Sequence, residues 1–253
     1  MFSRKTKIVC SMGPTTEDIE VVKALLQAGM NVARFNFSHG DSEYHGKAID
    51  RVRTASEQTG IPCALLLDTK GPEIRTGLVA QGGTIEVHSG DSFIFTNTDD
   101  PVRAPSQDES GVISLSWKSL PSEILPDCRI LVADGLLEFL VLSTDGQRAI
   151  HCRALNSGVI GSRKNVNIIG IHPDLPILAE QDKRDIEFGI SRGIDFIAAS
   201  FVSSAADVVS ILRFIEPFNS KVKVIAKIEN EEGLDNIEEI VDVSAGVMVA
   251  RGD

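Results

Sequence analysis

Short apolar segments alternate with longer amphipathic segments from the start of the chain to Gly71. The apolar segments predict three strands, at 7–10, 31–37 and 62–67. Apolar residues at helical spacing predict one helix that begins after the N-cap Thr16 and ends near Gly29, and a second helix at 43–58. This alternation is typical of βαβ units.

The pattern changes after Gly71. Residues 72–173 contain short alternating segments, such as 83–90, 91–96 and 129–132, separated by glycine, proline and aspartate. No long helix is predicted among them. We therefore expect 72–173 to form a separate all-β domain, an inserted β-barrel.

Strands and helices alternate again from residue 174. The pattern predicts helices at 180–191, 205–215 and 234–241, and strands at 195–201, 223–228 and 246–250. Six strands that alternate with helices in one direction indicate a parallel sheet or a barrel. The predicted domain boundaries place 1–71 and 174–253 in one α/β domain, with 72–173 inserted between them.

The composition is that of a globular protein, with 42% hydrophobic and 24% charged residues. A net charge of −11 argues against nucleic acid or an anionic membrane as the main partner, although a local basic pocket can still bind a phosphorylated substrate. No apolar segment approaches the roughly 20 residues that cross a bilayer, and we expect a cytoplasmic protein. Four well-separated cysteines are predicted to be buried free thiols in a reducing compartment: Cys10, Cys63, Cys128 and Cys152.

Polar residues recur at the ends of four predicted strands. Within a strand, residues two positions apart share one face, and the carboxyl ends of barrel strands converge on one site. The residues concerned are Arg34, Asn36 and Ser38, then Asp68 and Thr69, then Lys227 and Glu229, then Arg251 and Asp253.

This set of side chains suits anions and hard cations. Arg34 and Lys227 supply positive charge, and pairs of carboxylates bind Mg2+ readily. Phosphoryl transfer requires such charge neutralisation, with the donor and acceptor oxygens held in line. A single strand-end charge is more often solvated, and a Lys-x-Glu pair is more often a surface salt bridge. Recurrence at four strand ends favours a functional site.

Five longer segments contain rare combinations of residues. They are KIVCSMGPTTED, AGMNVARFNFSHG, LLLDTKGPEIRTG, IAKIENEEGLDNIEEI and GVMVARGD. In this order they closely resemble the signature of the pyruvate kinase family. The resemblance implies a TIM (β/α)8-type barrel, here incomplete with about six strands. It also implies that the inserted all-β barrel domain closes over the site as a lid.

The same resemblance implies an activity and its cofactors. Pyruvate kinases transfer a phosphoryl group between phosphoenolpyruvate and ADP, giving pyruvate and ATP in the last step of glycolysis. They use Mg2+ (or Mn2+) and usually K+. We expect the full-length form to be a homotetramer.

The resemblance also assigns roles to single residues. Arg34 would bind the transferring phosphate, and Lys227 would stabilise its charge in the transition state. The implied metal ligands are Glu229 and Asp253 for Mg2+, and Asn36, Ser38, Asp68 and the Thr69 carbonyl for K+. The implied contacts are Ala250 and Gly252 to the substrate carboxylate, and Pro14, His39, Tyr44, Arg75 and Lys164 to the nucleotide.

The resemblance also assigns residues to the K+ requirement and to the lid. Glu73 matches family members that need K+, so we predict K+ dependence. The resemblance implies that the lid contributes Asp134, Arg163 and Lys164 to the site, although Asp134 can equally be interpreted as a turn residue before Gly135.

Three positions depart from the family pattern. Asn165 and Ile169 replace residues that are commonly Gly and Pro, and Asn tolerates a left-handed backbone. Ala245 stands where an aspartate is usual, and we expect it to affect stability or a loop contact before it affects chemistry.

Two alternatives are open at this stage. One is another barrel enzyme that handles phosphoenolpyruvate or pyruvate through a metal, such as a mutase or an aldolase. The other is a catalytically inactive fragment that only binds metal or nucleotide. Complete family members continue past Asp253 with two more barrel strands, and we expect the isolated chain to be inactive.

Overall fold

The computed structural model describes residues 5–80, 82–133, 135–169 and 175–250. The strands in these ranges are β1 (Ile8–Ser11), β2 (Met30–Asn36), β3 (Ala64–Asp68), β4 (Thr84–Val87), β5 (Ser92–Thr96), β6 (Gly111–Ser114), β7 (Arg129–Val132), β8 (Leu137–Thr144), β9 (Ala149–Ala154), β10 (Gly158–Gly161), β11 (Val166–Ile168), β12 (Phe196–Ala199), β13 (Lys223–Ile228) and β14 (Gly246–Val249). The helices are α1 (Ile19–Ala28), α2 (Ser42–Thr59), α3 (Leu120–Glu123), α4 (Glu180–Ser191), α5 (Ala205–Ile215), α6 (Glu231–Asp235) and α7 (Ile237–Val243), with 3-10 helices at Pro14–Thr16 and Glu216–Phe218.

The described residues divide into two compact units, and the first contains those up to Pro72 together with those from Leu175 onward. Its strands form one sheet in the order β1-β2-β3-β12-β13-β14, in which every neighbouring pair is parallel. The predicted parallel sheet is therefore confirmed. The chain leaves this sheet after β3 and returns to it with β12.

The strands of the first unit are buried between apolar side chains. Phe35, Leu67 and Ile197 are fully buried on the strands, and Leu26 and Ile49 pack against the same core from α1 and α2. Because apolar residues fill most of each strand, the polar residues that serve a site lie at or near the carboxyl ends of the strands. Burial of this kind supplies the main favourable term in folding.

The second unit begins at Glu73 and is built almost entirely of strands. One sheet has the order β11-β7-β8-β9-β5-β6, and β10 pairs with β4 in a second sheet. All of these pairs are antiparallel except β5 with β6. The buried rings of Phe93 and Phe95 meet Phe139 edge-on, with centroids 5.4 and 5.0 Å away. Only the four-residue α3 is helical among its described residues.

Two helix boundaries differ from the sequence prediction. Thr16 ends a 3-10 helix, and Asp18 caps α1 by accepting a hydrogen bond from the Glu20 backbone N–H at 2.9 Å. The single helix predicted at 234–241 is two helices that meet at Asn236, whose side-chain amide donates to the Ser203 carbonyl. In both cases a side chain that bonds to the backbone decides the boundary.

Two strand ends and the cysteine environments also differ. β2 ends at Asn36, so Ser38 lies in the following turn and does not share the strand face. β12 ends at Ala199, which leaves Ser200 and Phe201 in a turn. All four cysteines are free, but only Cys152 is buried, and the other three are half-buried. No described helix is both long enough and apolar enough to cross a membrane.

Candidate active site

The carboxyl ends of the parallel strands bring the predicted polar residues into register. Asn36 at the end of β2 pairs with Asp68 at the end of β3, and Asp68 pairs with Ala198 of β12. Ala199 pairs with Ala226 of β13, so the next residues, Ser200 and Lys227, follow side by side. The sheet register alone therefore gathers side chains from four strands at one edge.

Asp68 lies at the centre of this cluster and has no exposed surface. Its Oδ2 accepts a hydrogen bond from Arg34 Nε at 2.6 Å, and its Oδ1 lies 3.1 Å from Lys227 Nζ. A second donor of Arg34, Nη1, reaches the Ser11 hydroxyl at 2.7 Å. A buried carboxylate requires partners of this kind because isolated burial of a charge is costly.

Lys227 is buried among acceptors. Its Nζ lies 2.9 Å from Ser200 Oγ, 3.0 Å from Glu229 Oε1 and 3.1 Å from Asp68 Oδ1. Burial alone would lower the pKa of this ammonium group, but the carboxylates of Asp68 and Glu229 reverse the effect and raise it. Lys227 is therefore charged at neutral pH. The Lys-x-Glu pair is an internal ion pair, with side chains 6% and 4% exposed.

Ser200 and Phe201 belong to this cluster although neither is among the site residues predicted from the sequence. Ser200 Oγ accepts from Lys227 and donates to the Thr69 carbonyl at 2.6 Å. The Phe201 backbone N–H donates to Glu229 Oε2 at 2.7 Å, from a residue with φ of 59°. That φ is unusual for a bulky residue and marks local strain. The rule applied to the other strand ends finds Ser200 only with the observed strand end, because Ser200 directly follows β12 whereas the predicted strand continues to Phe201.

The four residues predicted to bind K+ surround the ends of β2 and β3. Asn36 Oδ1 accepts from the Ser38 backbone N–H at 3.1 Å. Thr69 is held in place because its N–H donates to the Ala198 carbonyl and its Oγ1 accepts from the Ser200 N–H. Amide, hydroxyl, carboxylate and carbonyl oxygens are suitable donors for a hard monovalent cation.

The predicted nucleotide contacts fall in both units. In the first unit Pro14 begins a 3-10 helix and is exposed, His39 is exposed in the turn after β2, and Tyr44 is half-buried in α2. In the second unit Arg75 pairs with Glu73 Oε2, at 2.7 Å from its Nε, and donates to the Arg163 carbonyl. Lys164 is exposed there. Within the described part of the first unit, the side chains of Pro14, His39 and Tyr44 have no hydrogen bond or ion pair with the cluster around Asp68.

Several predicted residues lie outside the described residues or at their limit. Arg251, Gly252, Asp253 and Asp134 are outside them, and Ala250 directly follows β14. Of the predicted Mg2+ ligands, Glu229 is therefore the one that is described. Its carboxylate is a hard oxygen donor that suits Mg2+ or Mn2+. The described residues contain no group of three or more His, Cys, Asp or Glu side chains that could hold a metal ion.

Comparison with known proteins identifies the family. The family described as "Pyruvate kinase, barrel domain" matches residues 3–253. The chain belongs to the pyruvate kinase family. A crystal structure of a pyruvate kinase from Cryptosporidium parvum aligns over 99% of this chain with a TM-score of 0.89 and 40% identity, and the match covers 51% of that structure. An α/β fold of the pyruvate kinase type is therefore established.

Curated pyruvate kinases match along nearly the whole chain. The cytosolic isozyme of Glycine max is 43% identical over 98% of the chain, and the enzyme of Geobacillus stearothermophilus is 45% identical over 100% of it. The chain spans 48% and 42% of the length of these two pyruvate kinases. These matches exclude a mutase or aldolase family for this chain. They do not favour the alternative of a catalytically inactive fragment that only binds metal or nucleotide.

Proposed function

We propose that the whole protein containing this chain is a pyruvate kinase that transfers a phosphoryl group from phosphoenolpyruvate to ADP, giving pyruvate and ATP. The cluster of Arg34, Asp68, Lys227 and Glu229 carries the proposal, because it fixes two positively charged side chains beside two carboxylates. Family membership along the chain supports the same reaction. We also propose that the protein works in the cytoplasm and as a homotetramer.

Arg34 and Lys227 act on the phosphate in this proposal. Arg34 binds the transferring group with the guanidinium that Asp68 orients through Nε. Lys227 is held charged, so it stabilises the negative charge that spreads over the phosphoryl oxygens in the transition state. A buried, pre-oriented cation does this better than a solvated one, because it does not have to reorganise.

Oxygen atoms of the site hold the metal ions in this proposal. Glu229 and Asp253 would hold Mg2+ or Mn2+, and Asn36, Ser38, Asp68 and the Thr69 carbonyl would hold K+. When bound, these cations supply Lewis-acid polarisation and neutralise phosphate charge. Phe201 contributes by fixing Glu229 Oε2 through its N–H.

The remaining assignments follow the family. The first unit would belong to a TIM-type barrel, 1–71 with 174–253, and 72–173 would be an inserted β-barrel lid that excludes water. The proposed substrate contacts are Ala250 and Gly252, the nucleotide contacts are Pro14, His39, Tyr44, Arg75 and Lys164, and Asp134 and Arg163 are further residues of the lid.

The test is ATP formation from phosphoenolpyruvate and ADP by the full-length protein with Mg2+ and K+. We expect activity in the wild type and a loss of about 10²–10³-fold in kcat for Lys227→Met. Lys223→Met is the matched control, because Lys223 is exposed on the same strand. A wild type that forms no ATP, or a Lys227→Met variant as active as the control, would contradict the proposal.

The K+ requirement is tested with the same protein. Glu73 supports a K+-dependent enzyme, so replacing K+ with tetramethylammonium at equal ionic strength is expected to abolish most of the turnover. Appreciable ATP formation with K+ rigorously excluded would refute this part of the proposal.

A further inference from the structure

Among the described residues, three acceptors lie around the Lys227 ammonium group, and they are not equivalent. Asp68 Oδ1 and Glu229 Oε1 are carboxylate oxygens, at 3.1 and 3.0 Å, whereas Ser200 Oγ, at 2.9 Å, is neutral. Ser200 Oγ accepts a hydrogen bond from Lys227 Nζ, and the two carboxylates form ion pairs with the same ammonium group.

The two carboxylates have other partners in the proposed function, on which this inference rests. Asp68 would serve K+ and Glu229 would serve Mg2+, and a carboxylate that also serves a metal ion would share its negative charge between that ion and Lys227. Ser200 has no assigned cation. Of the three acceptors, it is the one whose bond to Lys227 need not change when the cations bind.

Ser200 is itself rigidly held. The residue is 3% exposed, its hydroxyl donates to the Thr69 carbonyl at 2.6 Å, and its N–H donates to Thr69 Oγ1 at 3.1 Å. Ser200 Oγ also lies 3.3 Å from Asp68 Oδ1, but the much shorter 2.6 Å contact to the Thr69 carbonyl takes the single hydroxyl proton, which leaves the lone pairs of Ser200 Oγ available to Lys227. Gly71 packs so closely that a Cβ there would lie 2.9 Å from the Ser200 Cβ.

We propose that Ser200 is a positioning residue that keeps the Lys227 ammonium directed at the phosphoryl group while Asp68 and Glu229 bind cations. Its hydroxyl touches no reacting atom. It acts through Lys227, and it also links Lys227 to the Thr69 carbonyl, which is a proposed K+ ligand.

The test is Ser200→Ala in the full-length protein. Misplacing a catalytic group by a fraction of an ångström lowers the rate of the chemical step, so we expect kcat to fall roughly ten- to hundredfold with little change in the KM for ADP. Mn2+ affinity of the substrate-free protein, measured by electron paramagnetic resonance, should be unchanged, because Ser200 is not a proposed ligand of the divalent metal.

Ser203→Ala is the matched control. Ser203 lies in the same segment between β12 and α5, and its hydroxyl accepts from the Asn230 amide. A general loosening of this segment would lower kcat in both variants, whereas loss of the Lys227 contact would lower it in Ser200→Ala alone. Thermal unfolding followed by circular dichroism checks that both variants are folded.

The outcomes separate this inference from the proposed function. An active wild type with an unchanged kcat in Ser200→Ala overturns the inference alone. Equal losses in Ser203→Ala, or a loss of Mn2+ affinity in Ser200→Ala, also overturn it, because Ser200 would then act on the segment or on the metal site. An inactive wild type overturns the proposed function and the inference with it.

Discussion

A buried imidazole fixes the turn that follows β2. His45 is 3% exposed, stacks on Phe37 with ring centroids 3.9 Å apart, and lies with Nε2 2.7 Å from the His39 carbonyl. A carbonyl only accepts hydrogen bonds, so Nε2 carries the proton of the neutral ring. Burial lowers the pKa of His45 below its usual value, although the His39 carbonyl and Asp41 act in the opposite direction.

This lowered pKa gives a pH dependence with a definite sign. Below about pH 6.5 the unfolded chain binds a proton at His45 that the folded protein does not bind, so stability decreases as the pH falls. We expect His45→Gln, which keeps a side-chain N–H donor, to make the stability fall less between pH 7 and pH 5 than it does in the wild type. Urea unfolding at both pH values measures it, and the exposed His151→Gln variant is the control. An equal pH response in wild type and His45→Gln would contradict this prediction.

The sequence predicted element types better than element ends. The strands around Arg34, Asp68 and Lys227 follow from apolar segments, and their register explains why these residues meet. The ends depend on contacts that no periodicity contains, such as Asp18 capping α1 and Asn236 bonding to Ser203. Ser200 was overlooked because the predicted strand extended beyond it, which hid its position at a strand end.

The turn that carries Ser200 and Phe201 depends on a glycine in another segment. Gly71 has φ of 70°, and a Cβ at this position would lie 2.9 Å from the Ser200 Cβ and 3.0 Å from the Ser200 carbonyl oxygen. Its N–H donates to Asp182 Oδ1 of α4 at 3.1 Å. The segment after β3 therefore touches the segment after β12 without room for a side chain.

Gly71→Ala tests this close contact. We expect it to lower the free energy of unfolding by about 1–3 kcal/mol. The added Cβ would strain a backbone with positive φ and would also clash with Ser200. Gly60→Ala is the matched control, since Gly60 has φ of 67° and no atom within 4 Å of an added Cβ. Denaturant unfolding should show the larger loss for Gly71→Ala, and equal losses would mean that the contact with Ser200 adds nothing.

Each unit of the whole molecule has its own buried core. Leu67, Ile197 and Ile186 belong to the core of the first unit, whereas Phe95 and Phe139 are fully buried in the second. Because their cores are separate, the two units can differ in their free energies of unfolding.

Phe139→Ala is expected to weaken the second unit selectively. Truncating a fully buried phenylalanine costs about 3–5 kcal/mol, through lost burial and the cavity that remains. Hydrogen exchange followed by mass spectrometry should show faster exchange in peptides from β5, β8 and β9. Ile186→Ala, in the core of the first unit, should instead accelerate exchange in β3 and β12. Uniform acceleration in both units by either variant would show that they unfold together.

The return of the chain to the sheet at β12 also constrains the order of folding. A single helix joins β2 to β3. By contrast, β3 pairs with β12, and the Leu65 backbone N–H donates to the Asp195 carboxylate, 130 residues further along the chain. Closing a flexible loop of that length costs about 4 kcal/mol of chain entropy. An intervening segment that has already folded shortens the loop that remains to be closed. We therefore expect early folding of the second unit to favour the strand pairing that brings Ser200 and Lys227 to Asp68, and we expect the site to form late in folding.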